Sequence, residues 1–344
     1  MKTCSQCHAT YPDDLGECPS DSTPLVELDA WPEGTVVDGK YRIVARLGQD
    51  VVCAVYKAFH IKSRQFRTLK VMSQHLASDR DFVKIFQLDA QQRKKLRHPN
   101  VARVVEIDEC EDGRPFIVME YVDGLSLRGV IDRYAPLPPL FACAIARQVA
   151  AGLAAAHALG IVHRDIKPEG IFLVKGAGRE RVKLLGLGMP NLREALLGDR
   201  FRTSPDAVIG TFQYMSPEQA LGQLGDELDG RSDLYSLGVI MYQMLTRELP
   251  FQATRAADWM IAHIQGTPIS IRFAHADLAI PDVLTDLVMA CLQKNREERP
   301  RSARDFIREI QRVEKEINRI EKDRRDALKT RGHRKSHGWK FWES

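Results

Sequence analysis

Apolar and polar residues alternate with period two over residues 41–47, 54–58 and 68–72, and that alternation predicts three strands joined by tight turns. From about Asp81 to Leu96 the apolar spacing lengthens to that of a helix. Residues 116–122 (Phe-Ile-Val-Met-Glu-Tyr-Val) return to strand character, and beyond them helical patterns dominate. The most apolar stretch, residues 141–162, carries Arg147, Gln148 and His157 and alternates as a core helix would. No stretch of about 18 apolar residues is found, so a transmembrane protein is not expected. Near the C-terminus Phe306, Ile310, Val313, Ile317 and Ile320 recur at steps of four and three along a charged helix predicted from Arg304 to about Leu328. Such a stripe either extends the last helix of the body and packs on it, or opens a short coiled coil.

Composition adds a size. Of 344 residues 44% are hydrophobic and 28% charged, enough apolar material for one two-lobed domain with small appendages and too much for a disordered chain. The net charge of +4 is unevenly spread: residues 322–344 hold eight Lys/Arg against Asp323, Asp326 and Glu343, so the rest of the chain sums to −1. Any attraction to anionic partners therefore belongs to the tail. There Lys329, Arg331, Arg334 and Lys335 lead into Trp339, Phe341 and Trp342, a pattern that suits an anionic membrane surface, a partner groove or a disordered end. No nucleic-acid module is visible. The start, Met-Lys-Thr-Cys, has no apolar core behind it, so no secretory signal is expected.

Seven cysteines fall into two groups. Cys53, Cys110, Cys143 and Cys291 are scattered singly in apolar contexts, as small buried hydrophobes would be. The odd count and the scatter point to a reducing, cytoplasmic setting. Cys4, Cys7 and Cys18 crowd the first twenty residues in a C-x-x-C turn and a C-x-x-D turn. That spacing predicts a zinc knuckle with Cys4, Cys7, Cys18 and Asp21 as ligands, His8 being the competing fourth. A segment so short has no core of its own, so metal would fold it. Its pattern resembles the small zinc ribbons that precede many bacterial kinase domains.

At residues 163–168 the chain reads His-Arg-Asp-Ile-Lys-Pro. Gly210-Thr211, residues 215–218 (Met-Ser-Pro-Glu), residues 229–238 (Asp-Gly-Arg-Ser-Asp-Leu-Tyr-Ser-Leu-Gly) and Arg299-Pro300 follow in order. Together these landmarks resemble the bacterial serine/threonine protein kinases of the eukaryotic-like type, over residues 41–310. The resemblance implies an α+β fold of two lobes, a small β-rich one and a large helical one. The domain plan is a zinc-ribbon-like segment at 1–27, a linker at 28–40, the kinase-like domain at 41–310 and a charged helical extension with its basic, aromatic tail at 311–344. It also implies Asp165 as catalytic base with Lys167 beside the transferred phosphoryl group. The nucleotide cleft would be built from Gly48, Val55, Lys70, Asp89, Glu120, Val122 and Phe172. Glu218 and Arg299 would form a structural ion pair, and Asp233 would hold the backbone of the catalytic loop.

Phosphoryl transfer rests on positioning and charge stabilisation, so each charged part can be checked. The family places an Asn five residues after the catalytic Asp; here that position is Gly170. The family's second magnesium ligand, the Asp of Asp-Phe-Gly, is Gly186. Glycine offers no side-chain oxygen to Mg²⁺, so no magnesium ligand is assigned, and Glu169 lies one residue off register. Of the three glycines of the phosphate loop only Gly48 remains, Asp50 and Cys53 standing in for the others. Asp50 about 5 Å from a phosphate would cost about 3 kcal/mol of repulsion at an effective dielectric near 20. Thr68 replaces a small residue over the adenine. Asp89 stands where kinases carry Glu, one methylene shorter, so it is either a weakened partner of Lys70 or a solvated helix charge. Arg93 falls in a position that kinases fill with leucine, facing the site of Leu187, and burying it there demands a partner or an outward swing of the helix.

These losses lead to the expectation of a pseudokinase, a kinase fold serving as a regulatory or scaffolding module for protein partners such as an active kinase, with ATP and magnesium binding compromised. The alternative is a weakly active kinase or an atypical nucleotidyl transferase using Lys70, Asp165 and Lys167; a third reading is a redox or zinc sensor centred on the ribbon. Residues 199–205, with Thr203 and Ser204, read either as a phosphoacceptor loop or as a polar surface loop.

Overall fold

The period-two stretches pair into one antiparallel sheet. The computed structural model describes residues 2–4, 10–11, 14–19, 22–27, 31–49, 52–175, 180–185 and 212–330. At the start of the chain β1 (Lys2–Cys4), β2 (Thr10–Tyr11) and β3 (Leu25–Glu27) make a small sheet in the order β2-β1-β3. The small lobe follows with β4 (Val36–Val37), β5 (Tyr41–Gln49), β6 (Cys53–His60), β7 (Gln65–Met72), α1 (Gln74–Ala77), α2 (Arg80–Lys94), β8 (Val104–Glu109) and β9 (Pro115–Glu120). Its strands run β4-β5-β6-β7-β9-β8, antiparallel throughout. The Asp79 side chain caps α2 by accepting the Asp81 N–H. The buried face of α2, with Phe86 and Ala90, closes on Met72, Val104 and Ile117 of the sheet.

The large lobe is helical. It comprises β10 (Leu125–Ser126), α3 (Leu127–Tyr134), α4 (Pro139–His157), β11 (Ile171–Lys175), β12 (Glu180–Leu184), α5 (Pro217–Ala220), α6 (Gly230–Thr246), α7 (Ala256–Gln265), α8 (Ile271–Ala274), α9 (Asp282–Cys291) and α10 (Ala303–Thr330). Helix α6 is buried on every side from Ser232 to Thr246 and forms the axis of the lobe. A Cβ on its Gly238 would stand 2.6 Å from the Cβ of Cys291, so glycine is what lets α9 pack against α6. By length and composition α4 is apolar enough to cross a membrane, which corrects the expectation that no such stretch exists. Here α4 is a core helix: Ala142, Ile145, Val149 and Leu153 are fully or nearly fully buried in the main cluster.

The C-terminal stripe packs inward. Phe306, Ile310, Val313 and Ile317 belong to the same cluster, and Arg147 of α4 pairs with Glu314 of α10 at 3.1 Å. The body-packing reading of that helix holds, and α10 lies along α4 rather than standing free. Cys53, Cys110, Cys143 and Cys291 are buried and form no disulfide among the described residues. Burial pushes the thiols of Cys110, Cys143 and Cys291 up to about 12, so they are inert near neutral pH.

The lobes meet where the segment after α2 runs beside β12. The Leu184 N–H donates to Asn100 O at 2.8 Å, the Ala102 N–H to Leu184 O at 2.9 Å, and Asn100 Nδ2 to Val182 O at 2.8 Å. This seam fixes the small-lobe sheet over the turn that carries Asp165.

Candidate active site

The turn between α4 and β11 is pinned by one buried carboxylate. Asp233 on α6 accepts the backbone N–H of His163 and of Arg164, each at 2.9 Å, and its Oδ2 lies 2.7 Å from His157 Nε2. Burial alone would raise the Asp233 carboxyl; the hydrogen bond and charge of His157, with the backbone donors, outweigh it and hold the group below its ordinary value. Asp233 thus has the role expected of it. His163 is fully buried, and burial holds its ring below the usual histidine range. Its Nδ1 accepts the Asp165 N–H at 3.4 Å and its Nε2 donates to Leu185 O at 3.3 Å, which assigns the Nε2–H tautomer. Arg164 sits at φ +63°, a left-handed conformation uncommon for any residue but glycine and held here by its surroundings. The Asp233 carboxylate, the Gly225 carbonyl and the Gln219 amide all grip it. On this frame Asp165 and Lys167 form an ion pair of 2.9 Å, both partly exposed.

The upper wall of the cleft departs from expectation. Lys70 stands on β7 between Val55 of β6 and Ile117 of β9, and Gly48 pairs with Val55, so these cleft residues are sheet neighbours. Asp89, however, turns to its own helix. Arg93 Nε donates to Asp89 Oδ2 at 3.1 Å and Arg93 Nη2 to Oδ1 at 2.9 Å, and both side chains are only 4% exposed. Asp89 is therefore neither the partner of Lys70 nor a solvated charge, and no ion pair to Lys70 occurs among the described residues. The reason is reach: an Asp carboxylate is short, whereas an arginine one turn along extends to it. The same pair answers how Arg93 is buried: it has its counter-charge beside it. Val52 and Cys53, in the phosphate-loop segment, are buried against Met72, Phe86 and Ala90. A side chain thus fills the core at the third glycine's position. Asp50 lies outside the described residues.

The metal positions are bare where they can be seen. Gly170 closes a short 3-10 turn, its carbonyl accepts the Leu185 N–H at 2.7 Å, and a Cβ there would meet only Leu185 O at 3.5 Å. Glu169 is tied to Arg128 of α3 at 2.7 Å, and Arg128 also donates to Tyr214 Oη at 2.6 Å. Its carboxylate is therefore directed to α3 rather than offered in place of the missing Asn. Gly186 and Leu187, like Thr203 and Ser204, lie outside the described residues. Glu120, on the hinge, is paired with Lys183 of β12 at 2.8 Å. Val122 is buried behind the hinge, and Phe172 pairs with Lys183 in the β11–β12 ladder.

The sequence profile of the protein kinase domain matches residues 41–310. The chain belongs to the protein kinase domain family. Serine/threonine-protein kinase pkn3 of Myxococcus xanthus is 36% identical over 289 residues, covering 84% of this chain and 52% of the relative. Serine/threonine-protein kinase PknB of Mycobacterium leprae is 34% identical, covering 80% and 43%. The chain thus spans about half the length or less of these curated relatives. Among solved structures, a double-mutant PknI kinase domain from Mycobacterium tuberculosis superposes with a TM-score of 0.63 at 25% identity, over 83% of this chain and all of that one.

As a protein kinase domain, the molecule keeps the structural half of the family's charged network. Arg299 and Glu218 form the expected buried pair, two-pronged at 2.7 and 2.8 Å, with Ser232 donating to Glu218 at 2.7 Å. Four functional contacts escaped the sequence: Asp89–Arg93, Arg128–Glu169, Lys183–Glu120 and His157–Asp233. Only the first left a local signal, an acid and a base four residues apart on one predicted helix. The others join residues 41 to 76 positions apart, which spacing alone does not reveal.

Of the predicted zinc ligands, Cys4 on β1 and Cys18 are both buried. Cys7, His8 and Asp21 lie outside the described residues. The Cys18 N–H donates to Thr23 O at 2.8 Å, and Ser22 N–H returns to Cys18 O at 2.8 Å, so Cys18 opens a tight turn.

Proposed function

We propose that this protein kinase domain serves as a regulatory or scaffolding module, a pseudokinase, rather than as an efficient phosphotransferase. The observation that carries the reading is the buried Asp89–Arg93 pair, which commits to a neighbouring arginine the carboxylate that would orient Lys70. The bare Gly170 supports it, since phosphate charge without magnesium is stabilised by little else. A thermal-shift titration tests the reading. A ligand at a hundredfold excess over its Kd stabilises by about 2.7 kcal/mol, so an unchanged Tm in ATP with Mg²⁺ or Mn²⁺ is the expected result. Phosphorylation of itself or of a protein substrate, lost in Asp165→Asn, would defeat it.

One observation favours a second reading, a weakly active serine/threonine kinase: the Asp165–Lys167 pair is formed and the catalytic loop is held in a strained, supported conformation. A metal-dependent ATP shift together with Asp165-dependent turnover would select it.

The N-terminal segment is read as a zinc ribbon with Cys4, Cys7, Cys18 and either Asp21 or His8. Support comes from two buried thiols in a three-stranded knuckle whose strands are only two or three residues long. Zinc would supply the cross-link that so small a sheet lacks. We expect one zinc per chain by elemental analysis and its loss in Cys4→Ser/Cys18→Ser; a metal-free wild-type protein would overturn the assignment.

A further inference from the structure

A second cleft, of about 450 Å³, opens at the joint of the two lobes, between β7, the segment that follows α2, the start of β8 and the end of β9. Arg67, Arg97, Arg103 and His98 line it, and Glu120 is its single acidic wall residue. None of these cations takes part in the catalytic arrangement above.

The charge in this cleft is unbalanced. Both oxygens of Glu120 are taken by Lys183, at 2.8 and 2.9 Å, so the one carboxylate is already neutralised from behind. Among the described residues Arg67 donates to neutral acceptors only, Phe66 O at 2.9 Å and Gln65 Oε1 at 2.5 Å, and meets no carboxylate. Among the described residues neither Arg97 nor Arg103 has a carboxylate partner for its guanidinium. Three like charges facing one concavity raise a positive potential that water relieves only in part. The chain as a whole is close to neutral outside its tail, so this concentration is local.

The walls are also built. Arg67 is in register with Glu120 across β7 and β9. The Glu120 N–H donates to Arg103 O at 2.8 Å, and the Arg103 N–H to Glu120 Oε2 at 3.3 Å. His98 Nδ1 accepts the Asn100 N–H at 3.2 Å, which leaves Nε2–H as the donor of that ring. The backbones bearing the cations are thus fixed before any ligand arrives, and preorganised donors lose little freedom on binding.

We propose that this cleft binds a phosphoryl dianion, presented on a phosphorylated side chain. Guanidinium forks match phosphate oxygens in pairs, and the histidine supplies a further neutral donor. The volume exceeds that of one phosphate group, which leaves room for the residue carrying it. The proposal stands independently of whether the catalytic cleft turns over.

The test is an NMR titration of the His98 ring in the full chain at constant pH, with two probes: N-acetyl-phosphoserine amide and inorganic phosphate. A saturable shift below about 10 mM is expected with the first. Tighter binding of phosphoserine than of phosphate assigns the site to phosphorylated proteins; equal binding assigns it to free phosphate, and the anion chemistry stands in both cases while the presenting side chain falls in the second. Arg97→Gln and Arg103→Gln alter exposed side chains, so each is expected to keep the wild-type Tm and to weaken binding at least about fivefold. Arg312→Gln on α10 serves as the neutral control. No His98 response to either probe, or an unaltered titration in the double Arg97→Gln/Arg103→Gln variant, overturns the proposal.

Discussion

Asp89 and Arg93 form an ion pair inside the small lobe with both side chains only 4% exposed. Truncating one partner of a buried ion pair strands the other, at a cost of about 3–5 kcal/mol, whereas replacing both by apolar residues of similar size is often neutral. Arg93→Leu is therefore expected to lower the free energy of urea unfolding by about 3 kcal/mol or more, and Asp89→Leu/Arg93→Leu to recover most of it. A loss under about 1 kcal/mol in the single variant would show that the pair is hydrated. Gly170 lies at the other extreme. A Cβ there meets only Leu185 O at 3.5 Å, and no positive φ constrains the residue. Gly170→Asn is thus expected to leave Tm nearly unchanged, and on its own to confer no metal-dependent ATP shift, because Gly186 contributes no second oxygen. What was legible at this scale was identity: the missing oxygens and glycines can be counted in the chain. What was not legible was commitment, since a carboxylate such as Glu169 names no partner until Arg128 is seen beside it.

Helix α10 shows the same limit in a different form. The stripe of Phe306, Ile310, Val313 and Ile317 declared a buried face, and the structure places that face on the large-lobe cluster. Periodicity fixes which residues turn inward but says nothing of what they meet, so the coiled-coil alternative stayed open until α4 was found alongside. The strands were read more closely. Residues 41–47, 54–58 and 68–72 sit inside β5, β6 and β7, each of which runs further than its alternating core because exposed hairpin ends such as Gln65 and Phe66 break the pattern without breaking the ladder. The stripe also makes a graded prediction. Ile310 is fully buried and Ile320 is 43% exposed. Ile310→Ala is expected to cost about 2–5 kcal/mol, and Ile320→Ala no more than about 0.5 kcal/mol, read as shifts of the urea midpoint at constant m. Equal losses at both positions would mean that a partner covers Ile320 in solution.

Across the whole molecule, the charges that hold the large lobe together also set its response to acid. His263 of α7 is enclosed by Trp259, Phe251 and Tyr235, with its Nδ1 2.9 Å from the Tyr235 hydroxyl. Burial, with the nearby charge of Lys294, pushes its imidazole down from 6.5 to about 4. Lys294 is itself pushed down to about 8, first by burial and then by Arg299, and remains a cation at neutral pH. Above pH 6.5 the ring is neutral in both folded and unfolded chains and contributes no pH dependence. As pH falls from 6.5 towards 4, the unfolded chain takes up a proton that the folded one refuses, so stability drains away by up to about 3 kcal/mol. Asp233 acts lower. Its folded pKa lies below 3.8, so the stability it gives to the catalytic loop is present above that value and is lost as pH falls through the folded pKa. Acid unfolding should therefore begin with the helical lobe's histidine and end with the loop's carboxylate. Urea denaturation at pH 7, 6, 5 and 4 isolates the histidine part, because Asp233 acts only below that range. The variant His263→Gln is expected to be less stable at pH 7 yet to decline less steeply than the wild type between pH 6 and 4, its remaining decline coming from His163, whose ring burial also holds below the usual histidine range. Parallel decline of the two proteins would move the titrating group elsewhere, to His163 or to carboxylates acting at the lower end of that range.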